Sequence, residues 1–154
     1  MICDSSPLIF LAKIDAFELL KKLFSKVVIP SEVKEEVLIE GKTGFTIIHD
    51  SIREGWIKLE NPKKIIDLGL GKGESAAISL AKEKKDSLII DDAVGIKAAN
   101  FLNIETIRTT TVILSAVKKK ILSKKEGADL LENLLEEGYY IAPKYYVRLL
   151  EELR

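Results

Sequence analysis

Short, wholly apolar runs alternate with amphipathic stretches from one end of the chain to the other, and this alternation limits the fold most strongly. Runs without an apolar–polar alternation are typical of strands that are buried on both faces of a parallel sheet. Parallel strands are joined by right-handed crossovers, which usually contain a helix. The sequence therefore predicts an α/β protein, a three-layer α/β/α sandwich around a central, mostly parallel sheet.

Strands are predicted at residues 1–3, 26–29, 87–90 and 105–107, a short extended piece at 56–59, and a late strand at 139–141. Helical periodicity and helix-start signals between these runs predict helices that cover residues 16–24, 31–36, 44–56, 74–84, 93–102, 112–119 and 123–137. Pro143 is predicted to begin the last helix. The length of 154 residues predicts a single domain spanning 1–154.

The composition sets the class of protein. A hydrophobic content of 47% is sufficient for a core, and the single cysteine, Cys3, cannot form an intramolecular disulfide. No apolar stretch approaches the roughly 20 residues of a membrane span, and the N-terminus lacks the features of a signal peptide. We therefore expect a soluble, cytoplasmic protein with no membrane contact.

Polar clusters directly follow three of the predicted strands: Asp4-Ser5-Ser6, Asp91-Asp92 and Thr109-Thr110-Thr111. Glu36 and Glu74 lie in helices that are expected to begin at the same edge of the sheet. Because ligand sites in parallel α/β sheets lie beyond the carboxyl ends of the strands, we expect these side chains to converge. Clustered carboxylates stay ionised together only around a cation, and oxygen ligands favour Mg²⁺ or Mn²⁺.

Each of these residues also has a purely structural interpretation. Asp4 and the Asp91-Asp92 pair are suitable helix caps, and Thr110 lies in another candidate cap. Glu36 fits a solvated helix face, and Glu74 is favoured by the positive end of its helix dipole. The sequence leaves both interpretations open for each residue, and it is their joint position after strands that favours a site.

Other classes of catalytic site have less support. The only histidine, His49, lies in a predicted amphipathic helix rather than after a strand, which disfavours a Ser/His/Asp or Cys/His mechanism. A zinc site built from Cys and His is excluded by their number. Gly69 to Gly73 is rich in glycine but lacks the Gly-Lys-Ser/Thr ending of a phosphate-binding loop, so we interpret it as a turn.

The ordered acidic segments resemble the PIN-domain family of metal-dependent ribonucleases, which includes VapC-type toxins. Five segments match in order and cover nearly the whole chain: Asp4-Ser5-Ser6, Pro30 to Glu36, Gly73-Glu74 with the helix that follows, Ile89 to Asp92 with Gly95 and Ala99, and Thr110 with Ile113, Leu114 and Ala116. The third segment is similar to one prokaryotic branch of the family. That branch often has arginine in place of Ile96 and glycine in place of Thr109.

The resemblance implies a set of roles. Asp4, Glu36, Asp91 and Asp92 would bind one or two Mg²⁺ or Mn²⁺ ions and support hydrolysis of RNA phosphodiester bonds. The sequence leaves open which of the two adjacent aspartates contacts the metal. Ser6, Glu74 and Thr110 would support them, for instance by positioning a water or a phosphate oxygen. The toxin branch further implies a homodimer and a small antitoxin protein as partner.

The net charge is zero, so the chain as a whole has no excess of basic residues that would attract RNA. A local basic patch could compensate, and the hypothesis is that Lys118, Lys119 and Lys120 form part of an RNA track through contacts with the backbone charge. A solvated helix end is the simpler explanation of these lysines. Two other functions stay open: a PIN-like domain that binds RNA or a partner without cleavage, and a phosphoacceptor signalling domain. The second would use a lysine such as Lys144 near the acids.

Overall fold

A computed structural model describes all residues, 1–154. Its centre is one sheet of five strands in the order β3-β2-β1-β4-β5, in which every neighbouring pair is parallel. The strands are β1 (Ile2–Cys3), β2 (Val27–Ile29), β3 (Ile57–Leu59), β4 (Leu88–Ile89) and β5 (Thr106–Ile107). The expected parallel sheet is confirmed, and the extended piece at 56–59 is one of its edge strands.

Nine helices connect and cover the strands. They are α1 (Ser5–Lys13), α2 (Glu18–Phe24), α3 (Ser31–Val37), α4 (Phe45–Glu54), α5 (Lys72–Lys84), α6 (Ala93–Phe101), α7 (Thr109–Lys118), α8 (Lys124–Glu136) and α9 (Pro143–Glu152). Helices α3, α5 and α6 form one packed series, and α2, α7 and α8 form another. This arrangement confirms the predicted α/β/α sandwich. No helix is long and apolar enough to cross a membrane.

The three central strands of the sheet are short but deeply buried, which explains their wholly apolar sequences, whereas the edge strands β3 and β5 are partly exposed. Every residue of β1, β2 and β4 is buried. Together with helix residues they form one core cluster of 33 buried side chains that runs from Ile2 to Leu153. Strand β1 lies between β2 and β4, so the residue that follows it is surrounded by neighbouring strand ends. That residue is Asp4.

The predicted late strand at residues 139–141 is wrong. These residues follow the end of α8, where Gly138 has a φ of 88° and turns the chain. The backbone N–H of Tyr139 then donates to the carbonyl of Leu134, a bond typical of a helix C-terminus rather than of a sheet. The Tyr139 side chain is consequently directed inward. Helix α7 also begins earlier than expected, at Thr109, because the threonines form its first turn.

Candidate active site

Asp4 lies at the centre of the carboxyl edge of the sheet, directly after β1. Its backbone is extended and its N–H donates to the carbonyl of Ile89, so it continues the strand ladder. The residue is only 3% exposed, its side chain makes no helix-cap hydrogen bond, and Oδ1 has no hydrogen-bond partner. A buried oxygen without a partner is unfavourable in isolation. Helix capping therefore does not account for this side chain.

The electrostatic surroundings of Asp4 are acidic. Burial raises the pKa of its carboxyl group from 3.8 to about 7, and the backbone N–H of Ser5 opposes this shift. The neighbouring charges of Glu74, Glu36 and Asp91 raise it further. The sheet edge thus brings together carboxylates that are far apart in sequence, as the strand-end argument predicted.

Glu36 is held on both of its carboxylate oxygens. The Ser5 hydroxyl donates to Oε2, and the backbone N–H of Gly73 donates to Oε1 at 3.0 Å. A Cβ atom at residue 73 would lie 2.6 Å from Cδ of Glu36, so only glycine leaves room for the carboxylate there. Helices α1, α3 and α5 therefore meet at Glu36, and its orientation is determined by their packing.

Both carboxylate oxygens of Asp91 also accept hydrogen bonds from the protein. Its Oδ1 accepts hydrogen bonds from the backbone N–H of Thr109 at 2.9 Å and from the Tyr139 hydroxyl at 2.5 Å. The Thr109 hydroxyl donates to Oδ2 at 2.7 Å. Burial and the charge of Asp91 raise the pKa of Tyr139 well above its ordinary value, so the phenol stays protonated and remains a donor. The Tyr139 ring packs edge-on against Phe10, with centroids 5.1 Å apart.

The adjacent acid, Asp92, points in a different direction. Its Oδ2 accepts from the backbone N–H of Gly95 at 2.8 Å and so caps α6. Burial raises the pKa of nearby Glu74, and the charges of Asp92 and Glu36 add to that shift. A Cβ at residue 95 would collide with Cδ1 of Ile90 at 2.7 Å, whereas Glu74 Oε2 at 3.4 Å and Asp92 Oδ2 at 3.5 Å would be ordinary contacts. Glycine at this position therefore makes room for Ile90, and the two carboxylates lie beside the same piece of backbone.

The other expected site residues differ in position. Ser6 is exposed and borders the cleft, whereas Thr110 is buried and lines a neighbouring depression together with Tyr139. Lys118, Lys119 and Lys120 lie at the opposite end of α7 from Thr109, about 15 Å along the helix axis. Lys118 there pairs with Glu152 at 3.3 Å. The RNA track through these lysines stays a prediction.

An open cleft of about 410 Å³ borders Glu74, Asp91 and Asp92, whereas Asp4 and Glu36 are not part of its lining. Its lining includes Ser6, Glu74, Asp91 and Asp92 on one side and residues of the α8–α9 connection on the other. His49, by contrast, is half-exposed on α4 and stacks on Phe45, outside this cleft. The expectation that histidine takes no part in the site agrees with this position.

Several residues of the site were given no role of their own from the sequence. Ser5 rather than Ser6 binds Glu36, Thr109 and Tyr139 hold Asp91, and Gly73 makes room for Glu36. Thr109 had a detectable signal, because it directly follows a strand at the same edge. Tyr139 had none, since it is 48 residues from Asp91 and its neighbours suggested a strand.

The candidate ligand residues are chemically suited to a hard divalent ion. Their side chains are not, however, gathered around a single point where such an ion would bind. All candidate ligands are carboxylate or hydroxyl oxygens, which suit Mg²⁺ or Mn²⁺. Asp4 Oδ1 is a buried acceptor without a partner, as an unused ligand would be. In the present side-chain conformations, no three His, Cys, Asp or Glu residues are grouped closely enough to hold a metal ion. Glu36 and Asp91 are instead occupied by protein donors.

Comparison with known proteins agrees with the fold. A family model described as a PIN domain matches residues 1–154. A solved PilT N-terminus domain protein from the hyperthermophilic archaeon Sulfolobus solfataricus P2 is similar in structure, with a TM-score of 0.56 and 26% sequence identity over 76% of this chain and 94% of that one. No curated protein sequence matches the chain. PIN domains are generally nucleases, and the chain belongs to the PIN-domain family.

Proposed function

We propose that the protein is an endoribonuclease that hydrolyses RNA phosphodiester bonds and depends on Mg²⁺ or Mn²⁺. The observation that carries the proposal is the Asp4 carboxyl group, which is buried at the sheet edge, leaves one oxygen unpaired and faces other carboxylates. Most buried side-chain oxygens have a hydrogen-bond donor, and an unpaired one that lies among other carboxylates supports a ligand role. A bound cation relieves both the missing partner and the repulsion between the acids.

Different residues would have different roles in such a site: some would bind the metal ion and others would hold those ligands in position. Asp4, Glu36, Asp91 and Asp92 are the proposed ligands, some acting through water, with Glu74 close to Asp92. Ser5 and Gly73 hold Glu36, while Thr109 and Tyr139 hold Asp91, so the two carboxylates are oriented before any ion arrives. Ser6, at the cleft, is placed to contact a phosphate oxygen. A divalent ion supplies Lewis-acid activation of water and stabilisation of the leaving oxygen.

We further propose that the protein is the toxin of a toxin–antitoxin pair, with a small antitoxin protein as its inhibitor and a homodimer as its assembly. Family membership supports this only at the level of a nuclease, and the resemblance to VapC-type toxins supplies the rest. The non-cleaving and phosphoacceptor alternatives are not favoured by the family match. A short reading frame beside the gene whose product binds the cleft would support the pair.

A mixed pool of cellular RNA provides the test of the activity. The protein is incubated with the pool in Mg²⁺, in Mn²⁺ and with excess chelator, and the products are separated by size. We expect discrete fragments with either ion and none with chelator. Cleavage that chelator does not diminish would refute the metal-dependent mechanism.

A further inference from the structure

An aromatic groove continues from the acidic cleft. Arg108, Tyr139, Tyr140, Ala142 and Tyr145 line the cleft and also a second depression of about 180 Å³ beside it. We call these five residues the aromatic groove. Two of its rings are turned to solvent, Tyr140 at 78% and Tyr145 at 61% exposure. A single exposed aromatic side chain is common, but adjoining exposed rings that line one depression are typical of a binding surface.

The groove also contains a cation without a counter-ion. Arg108 directly precedes α7, is half-buried, and lies near enough to Tyr139 that its charge lowers the pKa of that phenol. No carboxylate lies within ion-pair distance of its guanidinium, although Asp91 and Asp92 border the same cleft. An unpaired guanidinium beside an acidic site is suited to a phosphate, to which it donates in a bidentate manner.

We propose that the aromatic groove binds single-stranded RNA next to the scissile phosphate, with unpaired bases stacked on Tyr140 and Tyr145 and a phosphate contacted by Arg108. Every base has a face that stacks on an aromatic ring, and a neighbouring cation contacts the backbone, which is how proteins bind single strands without sequence preference. In a duplex the base faces are already stacked and unavailable. The groove would therefore favour an unpaired strand over a duplex, and this inference rests on the proposed function.

Direct binding tests the groove without relying on cleavage. Fluorescence anisotropy of a labelled single-stranded RNA is measured in chelator at low salt, for the full chain and for Tyr140→Ala, Tyr145→Ala and the double variant. We expect the double variant to bind on the order of 10-fold more weakly. Tyr140→Phe and Tyr145→Phe keep the rings and should bind nearly as well as wild type. Phe101→Ala removes an aromatic that is 86% exposed on α6, outside the groove, and should have no effect.

The RNA is varied in the same assay. Removing bases at successive positions should weaken binding to the wild type but not to the double tyrosine variant, because the stacking partners are already gone. Arg108→Gln should weaken binding and reduce the slope of log affinity against log salt concentration by about the contribution of one phosphate contact. Arg108→Lys keeps the positive charge and should retain most of that slope. Duplex RNA should bind more weakly than the single strand.

Three results would overturn the inference: unchanged affinity of the tyrosine variants, equal binding of duplex RNA, or equal losses for Phe101→Ala. Unchanged RNA affinity together with an altered oligomeric state would assign the rings to a protein contact instead. The two proposals fail separately. Ring-dependent binding without metal-dependent cleavage refutes only the nuclease, and cleavage with ring-independent binding refutes only the groove.

Discussion

The backbone N–H of Gly73 donates a 3.0 Å hydrogen bond to Oε1 of Glu36, and no side chain other than hydrogen fits between them. This contact joins two segments that are 37 residues apart and fixes one carboxylate at the edge of the sheet. It also gives the glycine a role that is independent of a turn, because Gly73 lies inside α5 and not before it.

Gly73→Ala tests this contact. Replacing a helical glycine by alanine ordinarily stabilises a protein by about 0.5–1 kcal/mol. Here the new methyl group collides with Glu36, so we expect urea unfolding to show a loss of about 1–2 kcal/mol instead. In a Glu36→Ala background the collision is absent and the same change should be neutral or stabilising. An equal loss in both backgrounds would show that Glu36 is not the obstacle.

The buried Asp4 carboxyl group makes the metal-free protein less stable as the pH rises. Its pKa is about 7 in the folded chain and 3.8 ordinarily, so between these values the folded state binds more protons than the unfolded state. Stability is therefore expected to fall as the pH rises from about 4 to about 7. Asp4→Asn removes the charge and should raise the free energy of unfolding at pH 8 by about 1–3 kcal/mol, with no gain near pH 4.

Denaturant unfolding at several pH values in chelator measures this effect. Asp92→Asn is the matched control, since Asp92 is exposed and asparagine caps a helix as well as aspartate does. We expect Asp92→Asn to lack the large gain at pH 8 that is expected for Asp4→Asn. A gain for Asp4→Asn that is the same at pH 4 and pH 8 would contradict the assignment to this carboxyl group.

Tyr139→Phe removes one of the donors to Asp91 and keeps the ring against Phe10. A hydrogen bond to a charged group is worth about 1.5–3 kcal/mol, and the remaining bonds from Thr109 compensate in part. We therefore expect a loss of about 1 kcal/mol in thermal unfolding and a several-fold lower kcat with little change in KM. Tyr146→Phe, on α9, should change neither quantity. If Tyr139→Phe has the same kcat as the wild type, the hydrogen bond from the phenol hydroxyl to Asp91 is not required for catalysis.

The adjacent serines should respond differently to removal of their hydroxyl groups. Ser5 is buried and donates to Glu36, so Ser5→Ala should lower the stability by about 1 kcal/mol and reduce the cleavage rate. Ser6 is exposed at the cleft, so Ser6→Ala should leave the melting temperature unchanged and affect only RNA binding or cleavage. Melting curves and cleavage rates of the two variants make the comparison. A destabilised Ser6→Ala with a neutral Ser5→Ala would reverse the assignment.

The strand ends were predictable because parallel strands place their carboxyl ends together. That single rule brought Asp4, Asp91 and Thr109 to one edge from the apolar runs alone. The rule did not determine which of two adjacent residues directs its side chain into the site. The choice between Ser5 and Ser6 depends on the phase of α1, and the divergence of Asp91 from Asp92 depends on where β4 ends and α6 is capped.

Contacts between distant segments were not predictable from local patterns. Tyr139 reaches Asp91 because Gly138 turns the chain at the end of α8, whereas the apolar run around it suggested a strand. The hydrogen bond from Gly73 to Glu36 likewise depends on how α3 packs against α5. A sequence pattern indicates the elements, but the side chain that completes a hydrogen bond is chosen by their packing.

Cleavage of a single-stranded RNA by wild type and by Asp4→Asn, in saturating Mn²⁺, tests the central claim most directly. Asparagine keeps the shape of the side chain and removes the charge that would bind the ion. We expect Asp4→Asn to be slower by about 100-fold or more. Equal rates for wild type and Asp4→Asn would show that the buried carboxylate does not take part in the chemistry.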